Sequence, residues 1–507
     1  MLAKIYSYGL IGLSTYPVCI EVDVSKGLPG TAIVGLPDNA IRESKERVRA
    51  AIRNSGYKYP CRRITINLSP ANIKKEGPCF DVAIALGILA ATGQIDPARL
   101  NDYIIFGELS LDGRMHHVKG ILPIALSLPK NTYAGMIVPM HNANEASIAG
   151  NIPVFALKSL SAVINFLMDP EARQPFPTQQ NHTMGSNSYP IDFNEVKGQN
   201  YVKRGLEIAA AGGHNILMLG PPGSGKTMLA KRLITILPQM TFDESIETTK
   251  IHSILGLLPR GQGLMAVRPF RSPHHTASNV ALVGGGPNPR PGEVTLAHNG
   301  ILFLDELPEF NRNVLESLRQ PLEDRCVTVS RASRTVRFPA NFMLVASMNP
   351  CPCGYLTDKR KECHCRPLQI QKYLSKISGP LLDRIDIHLE VPALGPIELT
   401  STAQPTENSA AIRQRTVKAR DIQLERFDNN GIFANAQMDP KQIKHFCRLS
   451  SEAHQLLCKA IQELGFSARA YDKILKVSRT ISDLAGSPDI LPEHIAEAIQ
   501  YRCLDRT

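Results

Sequence analysis

Ile216-Leu-Met-Leu-Gly220-Pro221-Pro222-Gly223-Ser224-Gly225-Lys226-Thr227-Met-Leu-Ala-Lys-Arg-Leu233 is the stretch that decides the fold. Its first four residues are an apolar run suited to a buried strand, and the residues from Met228 onward read as a helix, so a glycine-rich loop lies between the two. Within Gly220-Pro221-Pro222-Gly223-Ser224-Gly225, the glycines let backbone N–H groups turn inward toward phosphate oxygens. Lys226 then offers a cation to the β and γ phosphates of ATP, and Thr227 a hydroxyl to Mg²⁺. A second apolar run, Ile301 to Leu304, ends in Asp305 and Glu306. Asp305 is expected to hold Mg²⁺ through water, and Glu306 to orient and deprotonate the attacking water. Two carboxylates at a strand end would otherwise be a desolvation cost. Together the two motifs predict a nucleotide-hydrolysing P-loop domain, with a mostly parallel sheet covered by helices on both faces.

Composition bounds what surrounds this domain. A chain of 507 residues predicts about three domains at ~150 residues each. No uninterrupted apolar run is long enough to span a bilayer, and the start, Met1-Leu-Ala-Lys-Ile, lacks a secretory layout, so a cytoplasmic location is expected. The net charge of +11 would suit a polyanion, but it is spread thinly along the chain. A local excess is more telling: no Asp or Glu lies between Glu247 and Glu293, a stretch that holds Lys250, Arg260, Arg268, Arg271, Arg290 and three histidines.

Two polar, proline-containing segments, 169–190 and 396–409, divide the chain into parts 1–168, 191–395 and 410–507. The first mixes β-rich runs such as Ile64-Thr-Ile-Asn-Leu with helical patterns at 38–54 and 81–92, and reads as α+β. The second alternates strands and helices around the nucleotide motifs. The third has helical periodicity and reads as a bundle. The overall class is α/β multidomain.

The central part resembles an AAA+ module, and the wider chain is similar to the magnesium-chelatase-like YifB/ComM family over essentially its whole length. The elements that carry the resemblance are the P-loop, Arg271-Ser-Pro-His-His-Thr-Ala-Ser278, Leu304-Asp-Glu-Leu-Pro-Glu-Phe310, Ser347-Met-Asn-Pro-Cys-Pro-Cys-Gly354 and Gly379-Pro-Leu-Leu-Asp-Arg-Ile-Asp386. The resemblance implies that Asn349 is the sensor that polarises the water and that Arg384 is an arginine finger completing a neighbouring subunit's site. It also implies that Arg469 is the second sensor on a helical lid and that Lys197-Gly198-Gln199 is the adenine-contacting segment. A finger acting in trans demands a ring, for which the family implies six subunits. The first part is similar to the Lon-protease-like, ribosomal-S5-like fold through Lys75-Glu-Gly-Pro-Cys79-Phe-Asp and Phe106 to Arg114. There Cys79 stands where a Lon-type nucleophile would, but residues 122–124, where its lysine would be sought, are apolar. Peptidase activity is therefore not expected.

Two features are candidates for gripping a track in a ring's pore. One is the acid-free stretch at about 250–292, similar to the insertion within the second helix of this clade, with Arg268 and Arg271. The other is a hairpin over 327–338, in which Val327 and Val329 face Val336 and Phe338 and the turn carries Arg331 and Arg334. Arginines at such a tip would hold phosphates without reading bases. The first part adds eight Lys or Arg against two Glu between Arg42 and Arg63. Finally, Cys351, Cys353, Cys363 and Cys365 form C-x-C-x9-C-x-C, two thiolate clamps suited to a closed structural zinc site.

The leading expectation is a hexameric, DNA-binding helicase or translocase using ATP and Mg²⁺, with the family resemblance implying branch migration during integration of transforming DNA. The alternatives are a chelatase-type motor subunit and an ATP-dependent protein remodeller.

Overall fold

The computed structural model describes residues 2–178, 189–259, 261–286, 289–331, 334–358, 361–393, 395, 407–428, 431–502 and 504. They fall into two units. Met1–Gly185 joins with Phe242–Ala266, and Ser186–Thr241 joins with Val267–Thr507.

The first unit is built on strands β1 (Leu2–Ile11), β2 (Ser14–Ser25), β3 (Gly30–Val34), β4 (Arg63–Ser69) and β5 (Tyr103–Ile105), a short hairpin of β6 (Glu108–Leu109) and β7 (Met115–His116), and strands β8 (Gly135–Pro139) and β9 (Val154–Leu157). Seven of them form one mixed sheet in the order β3-β4-β2-β1-β5-β8-β9. Helix α1 (Asn39–Asn54) is capped by Asp38, whose carboxylate accepts from Ile41 N at 2.9 Å. It turns Ile41, Val48, Ala51 and Ile52 inward. Helix α2 (Asp81–Ala91) is buried along its whole length. It lies so close to the sheet that a Cβ on Gly87 would stand 2.6 Å from Val22 and 2.8 Å from Ile5. Helices α3 (Ile121–Ser127), α4 (Ala143–Ser147) and α5 (Leu160–Met168) complete the unit's own stretch of chain.

This division differs from the contiguous three-part reading of the sequence: residues 410–507 fall in the same unit as the nucleotide motifs, and one internal segment falls in the first unit. Helix α6 (Asn200–Gly212), strand β10 (Ile216–Leu219) and helix α7 (Lys226–Leu233) belong to the second unit, but helix α8 (Phe242–Leu255) and the residues after it, up to Ala266, belong to the first. The buried side of α8 is mostly polar, with Ser245, Thr248, Thr249 and Ser253 buried beside Ile251. It is satisfied by hydrogen bonds: Thr249 Oγ1 accepts from Met265 N at 3.0 Å, and Gly120 N donates to Ser253 O at 3.1 Å. Ser253 Oγ donates to the buried carboxylate of Glu145, which also accepts from Leu122 N and Asn142 Nδ2, both at 3.0 Å.

In the second unit, β11 (Phe270–Arg271), the ribbon β12 (Gly284–Gly285)/β13 (Arg290–Pro291), β14 (Ile301–Leu304), the hairpin β15 (Cys326–Arg331)/β16 (Arg334–Pro339), β17 (Met343–Met348) and β18 (Ile387–Glu390) follow β10. Five of these strands form an all-parallel sheet in the order β11-β14-β17-β10-β18. Such a sheet gathers the ends of neighbouring strands into one crevice. The helices expected in the third part run over Ser409–Phe427, Pro440–Phe446, Ser451–Leu464, Ala468–Leu484 and Pro492–Gln500. They share one core with the sheet, in which Ile216, Phe303 and Ile387 join Ile474, Ile481 and Ile495. A buried polar network crosses the same junction: His214 Nδ1 lies 3.2 Å from Asp386, its Nε2 lies 2.8 Å from Thr480 Oγ1, and Lys473 pairs with Asp386.

Candidate active site

The P-loop sits at the end of strand β10, which lies between β17 and the edge strand β18. Two of its glycines are required by geometry. A Cβ on Gly220 would stand 2.2 Å from Val391 O, and Gly225, with φ +90°, gives the chain its left-handed step into α7. Lys226 Nζ donates to Gly220 O at 2.7 Å, Pro221 O at 2.9 Å and Asn349 Oδ1 at 3.1 Å. Burial pushes its pKa down, while Asp305 and Glu306 push it back up. Thr227 Oγ1 donates to Asp305 Oδ2 at 2.8 Å. The two expected Mg²⁺ partners are thus side by side, and Ser224 Oγ is buried without a partner among the described residues. An orphaned hydroxyl in a loop of inward-turning amides fits a polyphosphate.

Because β14 and β17 run parallel with Leu304 beside Ala346, Asp305 comes level with Ser347. Ser347 Oγ donates to Asp305, and Glu306 N donates to Asp305 Oδ1 at 3.1 Å and to Ser347 Oγ at 3.3 Å. Ser347 is a site residue that motif reading passed over; its signal lay in the register between two strands distant in sequence. Glu306 has φ +54°, an uncommon left-handed conformation for this residue type, and its carboxylate is exposed toward His275, with Nδ1 at 4.0 Å from Oε2. His275 stacks on His274 and meets the edge of Phe310. The sequence marked this histidine only as part of a motif.

Other expected residues divide into those brought to the P-loop and those held elsewhere. Gln199, in a left-handed conformation, donates from Nε2 to Ser224 O and Pro392 O, both at 3.0 Å, clasping the loop to the end of β18. Asn349 reaches Lys226 as described, and its main chain bonds the buried Tyr373 hydroxyl, which burial pushes up to about 12. Arg384 is held by Glu323 and by Pro380 O, and Arg469 donates to Asp383 Oδ2 at 3.1 Å. Within one chain, neither guanidinium is bonded to the P-loop.

The two arginines expected to face DNA in the acid-free stretch do not present free charge. Arg268 is buried, donating to Pro238 O and Asn299 O at 2.7 Å and to Gln239 O at 3.2 Å. Arg271 forms a two-pronged pair with Glu293 at 2.6 and 2.8 Å. Arg268 thereby ties the chain before β11 to residues 238, 239 and 299, and Arg271, within β11, ties that strand to Glu293. In the hairpin, Val327 pairs with Phe338 and Val329 with Val336, all four buried. Residues 332 and 333 and the side chains of Arg331 and Arg334, on which the phosphate-gripping expectation falls, lie outside the described part.

The four expected cysteines converge. The Sγ atoms of Cys351, Cys353, Cys363 and Cys365 all lie within 4.8 Å of one another, with Cys351 at 3.3 Å from Cys353 and each of these at 3.6 Å from Cys363. A hydrogen bond with the main chain of Tyr355 pulls the Cys353 thiol down to about 6. The set is compatible with tetrahedral zinc. The cluster braces the site, because a Cβ on Gly354 would stand 2.6 Å from Pro222 of the P-loop. In the first unit, burial pushes the Cys79 thiol up to about 12 and Asp81 adds to the effect, the opposite of nucleophile activation.

Comparison with known proteins identifies the family. Family profiles of magnesium chelatase subunit ChlI match residues 192–399 and 20–142, and that of the ChlI C-terminal region matches 406–502. The chain is 45% identical to competence protein ComM of Haemophilus influenzae over 508 residues, covering 100% of this chain and 98% of the relative. The chain belongs to the YifB/ComM family. YifB of Escherichia coli K12 is 42% identical over 506 residues, covering 100% of this chain and 98% of that protein. This YifB/ComM member is also similar to Lon protease 2 of Bacillus subtilis, at 28% identity over 149 residues, which cover 28% of this chain and 27% of the protease. The family and its AAA+ core suggest ATP hydrolysis. Among the described residues, no helix is long and apolar enough to cross a membrane.

Proposed function

We propose that this protein is a ring-forming AAA+ ATPase that moves along DNA as a helicase or translocase and promotes branch migration of recombining strands. The observation that carries the hydrolytic part is the convergence of Lys226, Thr227, Asp305 and Asn349 through hydrogen bonds of 2.8 to 3.1 Å. ATP would sit on the loop 220–227, with Mg²⁺ held by Thr227 and Asp305 supplying charge neutralisation. Glu306, freely exposed beside these groups, takes the proton of the attacking water, and Asn349 orients that water. Arg384 serves a neighbouring subunit in a hexamer, and Arg469 reports lid position. The DNA part rests on full-length similarity to a competence protein, and the hairpin with Arg331 and Arg334 is its proposed grip. Cys351, Cys353, Cys363 and Cys365 would hold a structural zinc that fixes the loop behind Asn349.

Steady-state ATPase with and without single-stranded and branched DNA tests this reading, together with strand displacement. DNA stimulates the wild type, whereas Lys226→Ala and Glu306→Gln lose turnover by at least a hundredfold, and Arg384→Ala loses activity that returns on mixing with Lys226→Ala subunits. Robust ATPase with no DNA binding or stimulation at low salt would favour a chelatase-type motor or a protein remodeller instead.

A further inference from the structure

We infer that the outward face of α1 is a second, sequence-independent binding surface for the phosphodiester backbone of DNA, separate from the ATPase unit. It rests on the reading of the protein as a DNA motor, and adds the place where the first unit touches the track.

The helix has two unlike sides. Ile41, Ser44, Val48, Ala51 and Ile52 are buried against the unit's core. At ~100° per residue, Arg42, Lys45, Arg49 and Arg53 fall within an arc of about 80° whose centre lies about 110° around the helix from that of the buried side, and all four are exposed. They span about 16 Å of helix axis at ~1.5 Å per residue. Arg47 is different in kind: it lies at the flank, and its guanidinium donates to the buried Asp81 at 2.9 and 3.2 Å, which fixes the roll of the helix and leaves the other four cations outward. Exposed Lys58, Arg62 and Arg63 continue the same charge beyond the helix. The exposed carboxylates of this stretch are Glu43 and Glu46, and Glu46 borders the stripe.

The spacing of these cations works against the helix itself. Lys45 and Arg49, and Arg49 and Arg53, are like charges four residues apart, each such pair destabilising a helix by ~0.2–0.5 kcal/mol. Arg42 stands in a first turn that holds no acidic residue, against the helix dipole. None of the four stripe residues is joined to a carboxylate in an ion pair among the described residues. Arg49 rests on the ring of Tyr59, 5.8 Å from its centroid, and the Tyr59 hydroxyl lies 2.9 Å from Thr31 Oγ1. That guanidinium is therefore propped outward. Tyr57 and Tyr59 pack against the core, so the surface offers charge without a platform for stacking bases. An elongated row of propped, unneutralised cations fits a regularly spaced polyanion whose sequence is not read.

The test uses the full-length protein, fluorescein-labelled single-stranded and duplex oligonucleotides of random sequence, and anisotropy titrations between 50 and 200 mM salt with a non-hydrolysed ATP analogue. Replacing Arg42, Lys45, Arg49 and Arg53 together by Ala should reduce the slope of log K against log salt by about 3, so that the variant loses roughly 60-fold less affinity than the wild type over this range. Its DNA-free ATPase should be unchanged. A companion variant with Arg42, Arg49 and Arg53 all changed to Lys keeps the charge and should keep the slope. An alanine variant that binds with the wild-type slope overturns the proposal, as does one that loses only binding to phosphatidylserine vesicles. If the wild type itself binds neither oligonucleotide at 50 mM salt, the DNA-motor reading fails and this surface with it.

Discussion

His388 lies on β18 in the core of the second unit, and burial, followed by the nearby charge of Arg502, depresses its pKa to about 3. In the unfolded chain a histidine titrates near ~6.5. Below that pH the unfolded chain takes up a proton that the folded protein refuses, so the associated stability is complete above ~6.5 and is lost progressively as pH falls toward 3. The loss between pH 7 and 5 is about 2 kcal/mol from this residue, and His214, depressed by burial, adds in the same direction. Thermal unfolding measured across this range should show the midpoint falling with pH, and His388→Gln should flatten that fall; an unchanged slope would remove His388 as its source. Residue identities at the nucleotide site were legible because each has a fixed place in a short motif. The environment of a residue was not. Arg268 and Arg271 carry charge in the sequence, but the carbonyls of Pro238, Gln239 and Asn299 and the carboxylate of Glu293 that absorb it are placed by the fold.

Among the elements, the loop carrying the four cysteines follows β17 directly and presses Gly354 against Pro222 of the P-loop. Four thiols this close are a demanding arrangement without a cation, and metal would therefore hold the back wall of the phosphate site. Purified protein should contain about one zinc per chain by atomic emission. Cys351→Ser with Cys363→Ser, or dialysis against a strong chelator, should strip it and raise KM for ATP by ~10-fold with a smaller change in kcat. Stoichiometric absence of zinc would sink the assignment. The strands and helices themselves were readable wherever their buried side was apolar: β4, α1, α2, β10 and β14 lie where periodicity puts them. Helix α8 shows the limit. Its buried residues are polar but for Ile251, and the hydroxyls of Thr249 and Ser253 are satisfied by partners such as Met265 N and Glu145, so hydropathy gives little sign of what it packs on.

At the scale of the molecule, a buried polar network ties the sheet of the second unit to its C-terminal helices. Asp386 is at the centre of that network. Burial alone would raise its pKa, but Lys473 and His214 outweigh this and hold it well below the usual carboxylate range. Lys473→Met would leave a buried carboxylate without its cation, costing about 3 kcal/mol. Adding Asp386→Asn should recover much of that loss, so the pair should be strongly non-additive in chemical denaturation; simple additivity would show that the ion pair does not couple helix to sheet. The helical character of the C-terminal third was legible from its periodicity, but not that these helices share one core with the parallel sheet. The allegiance of Phe242–Ala266 was not legible either, since a chain that leaves one unit for another leaves no mark in composition.

That excursion also bears on how such a protein could have been assembled. With Phe242–Ala266 counted in the first unit, the polypeptide passes between the two units three times. Gene fusion at one junction joins modules that are each continuous, and one deletion can undo it. Here, removing residues 1–185 would orphan α8, and removing α8 would cut the chain between the P-loop helix and the Asp305 strand. The two units are therefore inherited as one object, neither able to be exchanged for a foreign counterpart by a single crossover.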